Sequence, residues 1–275
     1  MTAPTDPIGV FDSGVGGLSV LRAMRALMPE EPVLYFGDQG HAPYGARSMS
    51  QIQNFSEGIT KFLLDHHSKL MVVACNTASA AALTYLRRSF PAIAFVGMEP
   101  AVKPAAETTK TGKVGVLATS ATFQGMLYAS VVERFAAGVE LFPHTCPGLV
   151  NQIEKGDLES SVTREILEDA LLPMLKKNID TVVLGCTHYP FVIPLIQQIV
   201  GDQVRVIDPA PAVAKQVQRL LDMRQDRNLI RSRASIGFFT SGSAAVMKSM
   251  LPALLGELGQ VETVFWENDR TVARS

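Results

Sequence analysis

Short apolar runs of four or five residues punctuate the chain, and between them apolar positions recur every three to four residues. Ile8–Phe11, Val33–Phe36, Leu70–Ala74 and Ile93–Val96 read as buried strands, being brief, apolar and partly β-branched or aromatic. After Ser48 the apolar residues Ile52, Phe55, Ile59, Phe62 and Leu63 fall on one helical stripe. Ser48 followed by Gln51 is the pattern of a capping box at that helix start. Strands alternating with helices in this order predict a parallel sheet covered by helices.

The pattern then begins again. Val114–Ala118, Thr181–Leu184 and Val204–Ile207 read as strands, with helices between them such as the one striped by Leu127, Val131 and Phe135. Gly9-Val10-Phe11-Asp12-Ser13 is echoed by Gly115-Val116-Leu117-Ala118-Thr119, and Val72-Val73-Ala74-Cys75-Asn76-Thr77 by Val183-Leu184-Gly185-Cys186-Thr187-His188. The two echoes are separated by nearly the same length of chain, which points to two pseudo-repeated halves. Ile236–Phe239 and Val261–Phe265 read as further strands with a helix between them, and they are placed with the first half. Prolines mark the crossings at Met98-Glu99-Pro100 and Asp208-Pro209-Ala210-Pro211. The expected fold is therefore α/β, with two pseudo-symmetric doubly wound domains, mainly parallel sheets and an active site in the cleft between them. Residues 1–98 plus 210–275 form the first domain and residues 99–209 the second.

Composition narrows the class. Of 275 residues, 47% are hydrophobic and 19% charged, enough apolar material for packed cores rather than disorder. A net charge of −1 speaks against a nucleic-acid partner, which usually meets a basic stripe. No apolar run is long enough to cross a membrane. Met1–Pro7 lacks a basic stretch followed by an apolar one, so no secretory signal is expected. Three cysteines, an odd number, argue against a disulfide framework and for free thiols in the reducing cytoplasm.

In open parallel sheets, ligands bind beyond the carboxyl ends of strands, beside helix N-termini. Four polar clusters occupy such ends: Asp12-Ser13-Gly14, Cys75-Asn76-Thr77, Thr119-Ser120 and Cys186-Thr187-His188. Free N–H groups at a helix start suit a carboxylate, and Asn76, Thr77 and Thr187 add side-chain donors, so the expected ligand is small and anionic. Cys75 and Cys186 hold matching places in the two halves. Racemisation needs one group to remove an α-proton from one face and another to deliver a proton to the opposite face. A free thiol titrates near about 8.5, and a helix N-terminus favours its thiolate. Either cysteine alone would read as a small buried core residue; the matched placement favours chemistry. Cys146 lacks that setting and reads as structural. His144 with Cys146 supplies too few ligands for zinc, so no metal is expected. Asp12 and His188 are the ionisable neighbours of the two thiols, suited to assisting proton transfer or binding substrate. Their plainer readings are a helix cap and a hydrogen-bonded loop residue. His41, His66 and His67 read as solvated.

Asp12-Ser13-Gly14-Val15-Gly16-Gly17 also fits a dinucleotide-binding turn, with Asp38 as the ribose acid. Ser19 stands where the third glycine belongs, and that reading leaves the matched cysteines unexplained.

At these residues the chain resembles the aspartate/glutamate racemase superfamily, and within it the glutamate racemases. The resemblance rests on Gly9-Val10-Phe11-Asp12-Ser13-Gly14-Val15-Gly16-Gly17, Tyr35-Phe36-Gly37-Asp38, Pro43-Tyr44-Gly45, Ala74-Cys75-Asn76-Thr77-Ala78 and Gly185-Cys186-Thr187-His188-Tyr189-Pro190, with weaker echoes at Gly115-Val116-Leu117-Ala118-Thr119 and Phe239-Thr240-Ser241-Gly242. It implies a two-domain α/β fold and interconversion of L- and D-glutamate without pyridoxal phosphate or any other cofactor, supplying D-glutamate for peptidoglycan. It implies that Cys75 deprotonates the D-enantiomer and Cys186 the L-enantiomer, assisted by Asp12 and His188. Ser13, Tyr44, Gly45, Asn76, Thr77 and Thr187 match substrate contacts, together with Asp12 and His188, and Glu154 matches an acidic residue near the site. Members are often dimers, so a homodimer is an expectation. Gln39-Gly40-His41 departs from the superfamily's usual small-polar and arginine pattern, which touches the entrance loop rather than the chemistry. Relatives with a long N-terminal extension are activated by a cell-wall precursor; only Met1–Pro7 precede the first strand here, and such control is not expected. A sister enzyme acting on aspartate, or a related decarboxylase, would share the thiol logic. A non-catalytic amino-acid-binding protein would not need both thiols.

Overall fold

Two sheets form, and they share a strand order. In the computed structural model, which describes residues 3–230 and 232–274, the chain runs β1 (Ile8–Asp12), α1 (Leu18–Leu27), β2 (Val33–Gly37), α2 (Met49–Asp65), β3 (Leu70–Val73), α3 (Asn76–Ser89) and β4 (Phe95–Gly97). It continues through α4 (Val102–Thr108), β5 (Lys113–Ala118), α5 (Ser120–Gln124), α6 (Met126–Phe135), β6 (Glu140–His144), α7 (Leu149–Glu154), α8 (Ser161–Leu175), β7 (Thr181–Gly185), α9 (Ile193–Val200) and β8 (Arg205–Ile207). It ends with α10 (Ala210–Arg224), β9 (Ile236–Thr240), α11 (Ala244–Leu254), β10 (Val261–Asn268) and β11 (Thr271–Arg274). Two compact units result: Met1–Met98 with Ala210–Ser275, and Glu99–Pro209.

The first unit carries a seven-stranded sheet of order β11-β10-β9-β2-β1-β3-β4. The second carries a four-stranded sheet of order β6-β5-β7-β8. The segment β2-β1-β3-β4 of the first repeats as β6-β5-β7-β8 in the second, which is the topological basis of the sequence echoes. Pairing is parallel throughout except between β10 and β11. All five residues of β1 are buried, as a strand flanked on both edges and covered on both faces requires.

The core of the first unit gathers Phe11, Phe36, Ile52, Phe55, Phe62, Met71, Val73 and Phe239 between the sheet and α2 and α3. Full burial of each such side chain contributes roughly 1.5–3 kcal/mol. The capping box forms as the sequence indicates. Ser48 Oγ accepts the Gln51 N–H at 3.3 Å, and Gln51 Oε1 accepts the Ser48 N–H at 3.1 Å. The second unit has a smaller centre, with Val114, Val116 and Val183 packed against Ala105.

Three strand readings change. β4 begins at Phe95 rather than Ile93, because the Ile93 N–H bonds the Phe90 carbonyl in the turn that leaves α3. β6 has no counterpart in the apolar pattern: it is an edge strand, mostly half-exposed, and it tolerates Pro143 because one side of an edge needs no ladder donor. β10 extends to Asn268 and turns into β11, a short antiparallel return that pairs Trp266 with Val272. Among the described residues no helix is long and apolar enough to cross a membrane.

Candidate active site

In the first unit the site residues cluster at the carboxyl ends of β1 and β3. Asp12 closes β1, and its Oδ1 accepts the Gly14 N–H at 2.8 Å, so the carboxylate caps the turn that follows. Its backbone carbonyl accepts the Asp38 N–H at 2.9 Å, joining this turn to the one after β2. A side chain at Gly17 would put its Cβ 2.7 Å from Asp12 Cβ, which is why glycine stands where α1 passes the strand end.

Cys75 follows β3 in extended conformation and is the N-cap of α3, where its Sγ accepts the Ala78 N–H at 3.4 Å. A helix start presents unpaired N–H groups and partial positive charge, which stabilise a thiolate relative to a thiol. The same sulfur lies 3.8 Å from Ser13 Oγ. Asn76 and Thr77 open α3 and are buried. Neither the oxygen nor the nitrogen of the Asn76 side-chain amide has a hydrogen-bond partner in the protein. A buried amide left unpaired costs about 1–3 kcal/mol, and a ligand bearing both a donor and an acceptor, as an α-amino acid does, would remove that cost.

Tyr44 opens a 3-10 turn, Tyr44–Ala46, and is buried. Its hydroxyl donates to Asp38 Oδ2 at 2.6 Å. Burial first, then the charges of Asp38, Cys75 and Asp12, raise its pKa well above the ordinary phenol value, so it stays a donor at any working pH. Gly45 is exposed on the same turn.

In the second unit Cys186 directly follows β7, and its Sγ lies 3.8 Å from His188 Nδ1. His188 Nε2 in turn sits 2.6 Å from Glu154 Oε1 at the end of α7. Sulfur, imidazole and carboxylate thus form a chain in which His188 is held on both nitrogens. Burial disfavours the charged imidazole, but hydrogen bonds to Cys186 and Glu154, reinforced by their charges, win and raise its pKa well above the usual histidine value. Thr187, between Cys186 and His188 in sequence, is buried. Thr119 caps α5, accepting the Thr122 N–H at 3.3 Å.

Cys146 is buried, and burial, with added repulsion from Cys186 and Asp169, pushes its thiol up to about 12. It stays protonated near neutral pH, in keeping with a packing residue. Its N–H donates to His144 Nδ1 at 3.1 Å. Among the described residues no group of three or more His, Cys, Asp and Glu side chains is arranged to hold a metal ion.

Two histidine readings are corrected. His41 is half-buried rather than solvated: its ring stacks on Phe55 at 3.9 Å, and Nδ1 lies 3.0 Å from Asp38 Oδ2. His66 is also half-buried, with Nδ1 2.7 Å from the Phe62 carbonyl and its ring against Phe62 and Phe239. His67 is exposed, as expected.

Asp38 is not a ribose acid. It is fully buried, and Tyr44, His41, Ser241 and Trp266 all contact its carboxylate. Trp266 carries no motif, Ser241 stands only in the weaker echo Phe239-Thr240-Ser241-Gly242, and both come from the far end of the chain, so the local pattern does not place them beside this loop.

Comparison with known proteins gives a consistent picture. The family model described as Asp/Glu/Hydantoin racemase matches residues 10–217. The glutamate racemase of Pseudomonas paraeruginosa is 44% identical over 274 residues, spanning 100% of this chain and 99% of that protein. The crystal structure of a Bacillus anthracis glutamate racemase isoform superposes with a TM-score of 0.84 at 33% identity, covering 94% of this chain and 97% of that one. The glutamate racemase of Francisella tularensis, solved in complex with D-glutamate, superposes with a TM-score of 0.82 at 31% identity, covering 95% and 98%.

Proposed function

The chain belongs to the Asp/Glu/Hydantoin racemase family, and from that premise we infer that it interconverts L- and D-glutamate without a cofactor, passing the α-proton between Cys75 and Cys186. The observation that carries the reading is the matched placement of two thiols. Each follows the corresponding interior strand of its unit, β3 or β7, in the repeated strand order, and each has a polar neighbour, Ser13 or His188.

In the D-to-L direction the Cys75 thiolate takes the α-proton. The Cα–H bond breaks, an S–H bond forms, and the electron pair remains on the α-carbon. The Cys186 thiol then gives its proton to the other face and becomes the thiolate. The L-to-D direction reverses the roles. Asp12 and His188 assist their respective sulfurs. The α3 N-terminus and the Asn76 amide bind the carboxylate and ammonium, helped by Ser13, Thr77 and Thr187 and by the Tyr44–Gly45 turn. D-Glutamate so formed feeds peptidoglycan assembly. Three free cysteines suit the reducing cytoplasm as the site of action. Assembly as a homodimer belongs to the same reading.

The test is incubation of purified protein with L-glutamate, and separately with L-aspartate, in heavy water without added cofactor. Decay of circular dichroism with α-deuterium incorporation from glutamate is expected. Activity that appears only on adding pyridoxal phosphate, or only with aspartate, would overturn the reading.

A further inference from the structure

Four side chains from three separate parts of the chain converge on one buried carboxylate. Asp38 Oδ2 accepts from Tyr44 Oη at 2.6 Å, and Oδ1 accepts from Ser241 Oγ at 2.5 Å and from Trp266 Nε1 at 2.9 Å. His41 Nδ1 lies 3.0 Å from Oδ2. The His41 ring is sandwiched on the aromatic side, stacked on Phe55 at 3.9 Å and edge-on to Trp266 at 5.2 Å. A buried carboxylate needs several donors to offset its lost hydration, so losing any one of them leaves the group less well satisfied.

Trp266 sits on β10, more than two hundred residues beyond this loop, and the hairpin that carries it is fixed against α2. Arg270 Nε donates to Asn54 Oδ1 at 2.9 Å. At Gly58 the approach is so close that an added Cβ would lie 2.7 Å from both Trp266 Cζ3 and the Arg270 carbonyl oxygen. The Gly40 N–H donates to Ser241 Oγ at 3.0 Å, and Thr240 Oγ1 donates to Gln39 Oε1 at 3.0 Å, so the end of β9 grips the same loop.

We propose that Trp266, Ser241 and Asp38 are positioning residues for the reaction: through Asp38 the carboxy-terminal hairpin and the end of β9 hold the 38–46 loop so that Tyr44 and Gly45 meet the substrate. The inference rests on the reading of Tyr44 and Gly45 as glutamate contacts. The loop includes Gln39-Gly40-His41, and His41 is packed between Phe55 and Trp266. None of the three residues takes or gives a proton in the reaction, so their effect falls on substrate placement rather than on proton transfer.

The experiment compares W266F, which deletes the indole donor while keeping a ring, with S241A and G58A, the last of which pushes Trp266 from outside the loop. Steady-state constants are measured for both glutamate enantiomers, alongside thermal midpoints to confirm folding. KM should rise by about 3- to 10-fold in W266F and G58A, less in S241A, with kcat within about twofold. Because the equilibrium constant is one, kcat/KM must fall by the same factor for both enantiomers. A purely structural role would lower the thermal midpoint and leave KM unchanged in the folded fraction; that result in W266F and S241A overturns the proposal, even if G58A fails to fold. Absence of racemisation in the wild-type enzyme would instead overturn the glutamate reading.

Discussion

His188 and Glu154 meet through Nε2 and Oε1 at 2.6 Å, with the imidazole buried and its other nitrogen facing Cys186. The contact makes the folded protein bind a proton at His188 more tightly than an unfolded chain does, whose histidine titrates near about 6.5. The resulting stabilisation is complete below that value and is lost as pH rises through the higher folded pKa.

Glu154→Gln removes one of the two partners that raise this pKa. The variant should melt below the wild type near neutral pH, and the gap should narrow as pH climbs into the alkaline range. Thermal unfolding scanned from about pH 6 to 10 measures both curves. A gap that stays constant across that range would mean that Glu154 acts by packing alone.

The three cysteines should separate cleanly. Cys75→Ala and Cys186→Ala should each cut racemisation by about 10²- to 10⁴-fold or more, the usual reach of a lost acid or base. Cys146, a thiol raised to about 12, should behave as a core residue. Cys146→Ala should cost about 1 kcal/mol of stability through the cavity it leaves, with kcat nearly unchanged. Paired melting curves and initial rates decide this, and a collapse of kcat in folded Cys146→Ala would assign that thiol to the chemistry.

Asp180 offers an acid-side prediction in the second unit. Its carboxylate accepts from Thr109 Oγ1 at 2.7 Å, from the Lys110 and Thr111 N–H groups at 2.6 and 2.8 Å, and from Thr181 Oγ1 at 3.0 Å. Partial burial opposes ionisation, but these donors prevail and hold the pKa at about 2. The stabilisation is present above the ordinary aspartate value and is lost as pH falls towards 2. Asp180→Asn should therefore lower the melting temperature at pH 7, with the difference from wild type shrinking between about pH 4 and 2. Equal loss at every pH would contradict the assignment.

Much of this architecture was legible because it depends on local pattern. Buried parallel strands are apolar runs, so β1, β2, β3, β5 and β7 stand out, and the residues that end them inherit their place from the sheet. The thiols were found the same way, as matched residues beyond matched strands. What escaped depends on distant partners. β6 is an edge strand whose half-exposed residues and Pro143 carry no apolar signature. His41 reads as a polar loop residue until Phe55 and Trp266 are seen beside it. Asp38 reads as a ribose ligand from its place near the second strand, and only the folded chain reveals that Ser241 and Trp266 already occupy its carboxylate.

Asp12 and His188 lie at different strand ends, Asp12 closing β1 and His188 following β7, and the proposed function gives each the task of assisting one sulfur. A direct forecast would be that Asp12→Asn slows one direction and His188→Asn the other. Thermodynamics forbids that in kcat/KM. The enantiomers have equal free energy in achiral water, so the ratio of forward to reverse kcat/KM is one for every variant. Each variant should therefore show reduced but matched kcat/KM values, and the asymmetry must appear in kcat and KM separately and in which proton transfer limits the rate. With Asp12→Asn, removal of the α-proton by Cys75 becomes harder, and the isotope effect with α-deuterated D-glutamate should rise. With His188→Asn the rise should come with α-deuterated L-glutamate, the enantiomer that the proposed function assigns to Cys186. A loss of about 10² in rate corresponds to about 2.7 kcal/mol of transition-state stabilisation, within the range of one assisting group. Measuring kcat, KM and the isotope effect for both enantiomers in both variants resolves the roles. Isotope effects unchanged in both directions, with only KM raised, would place Asp12 and His188 in substrate binding and leave proton transfer to the thiols and the helix ends that hold them.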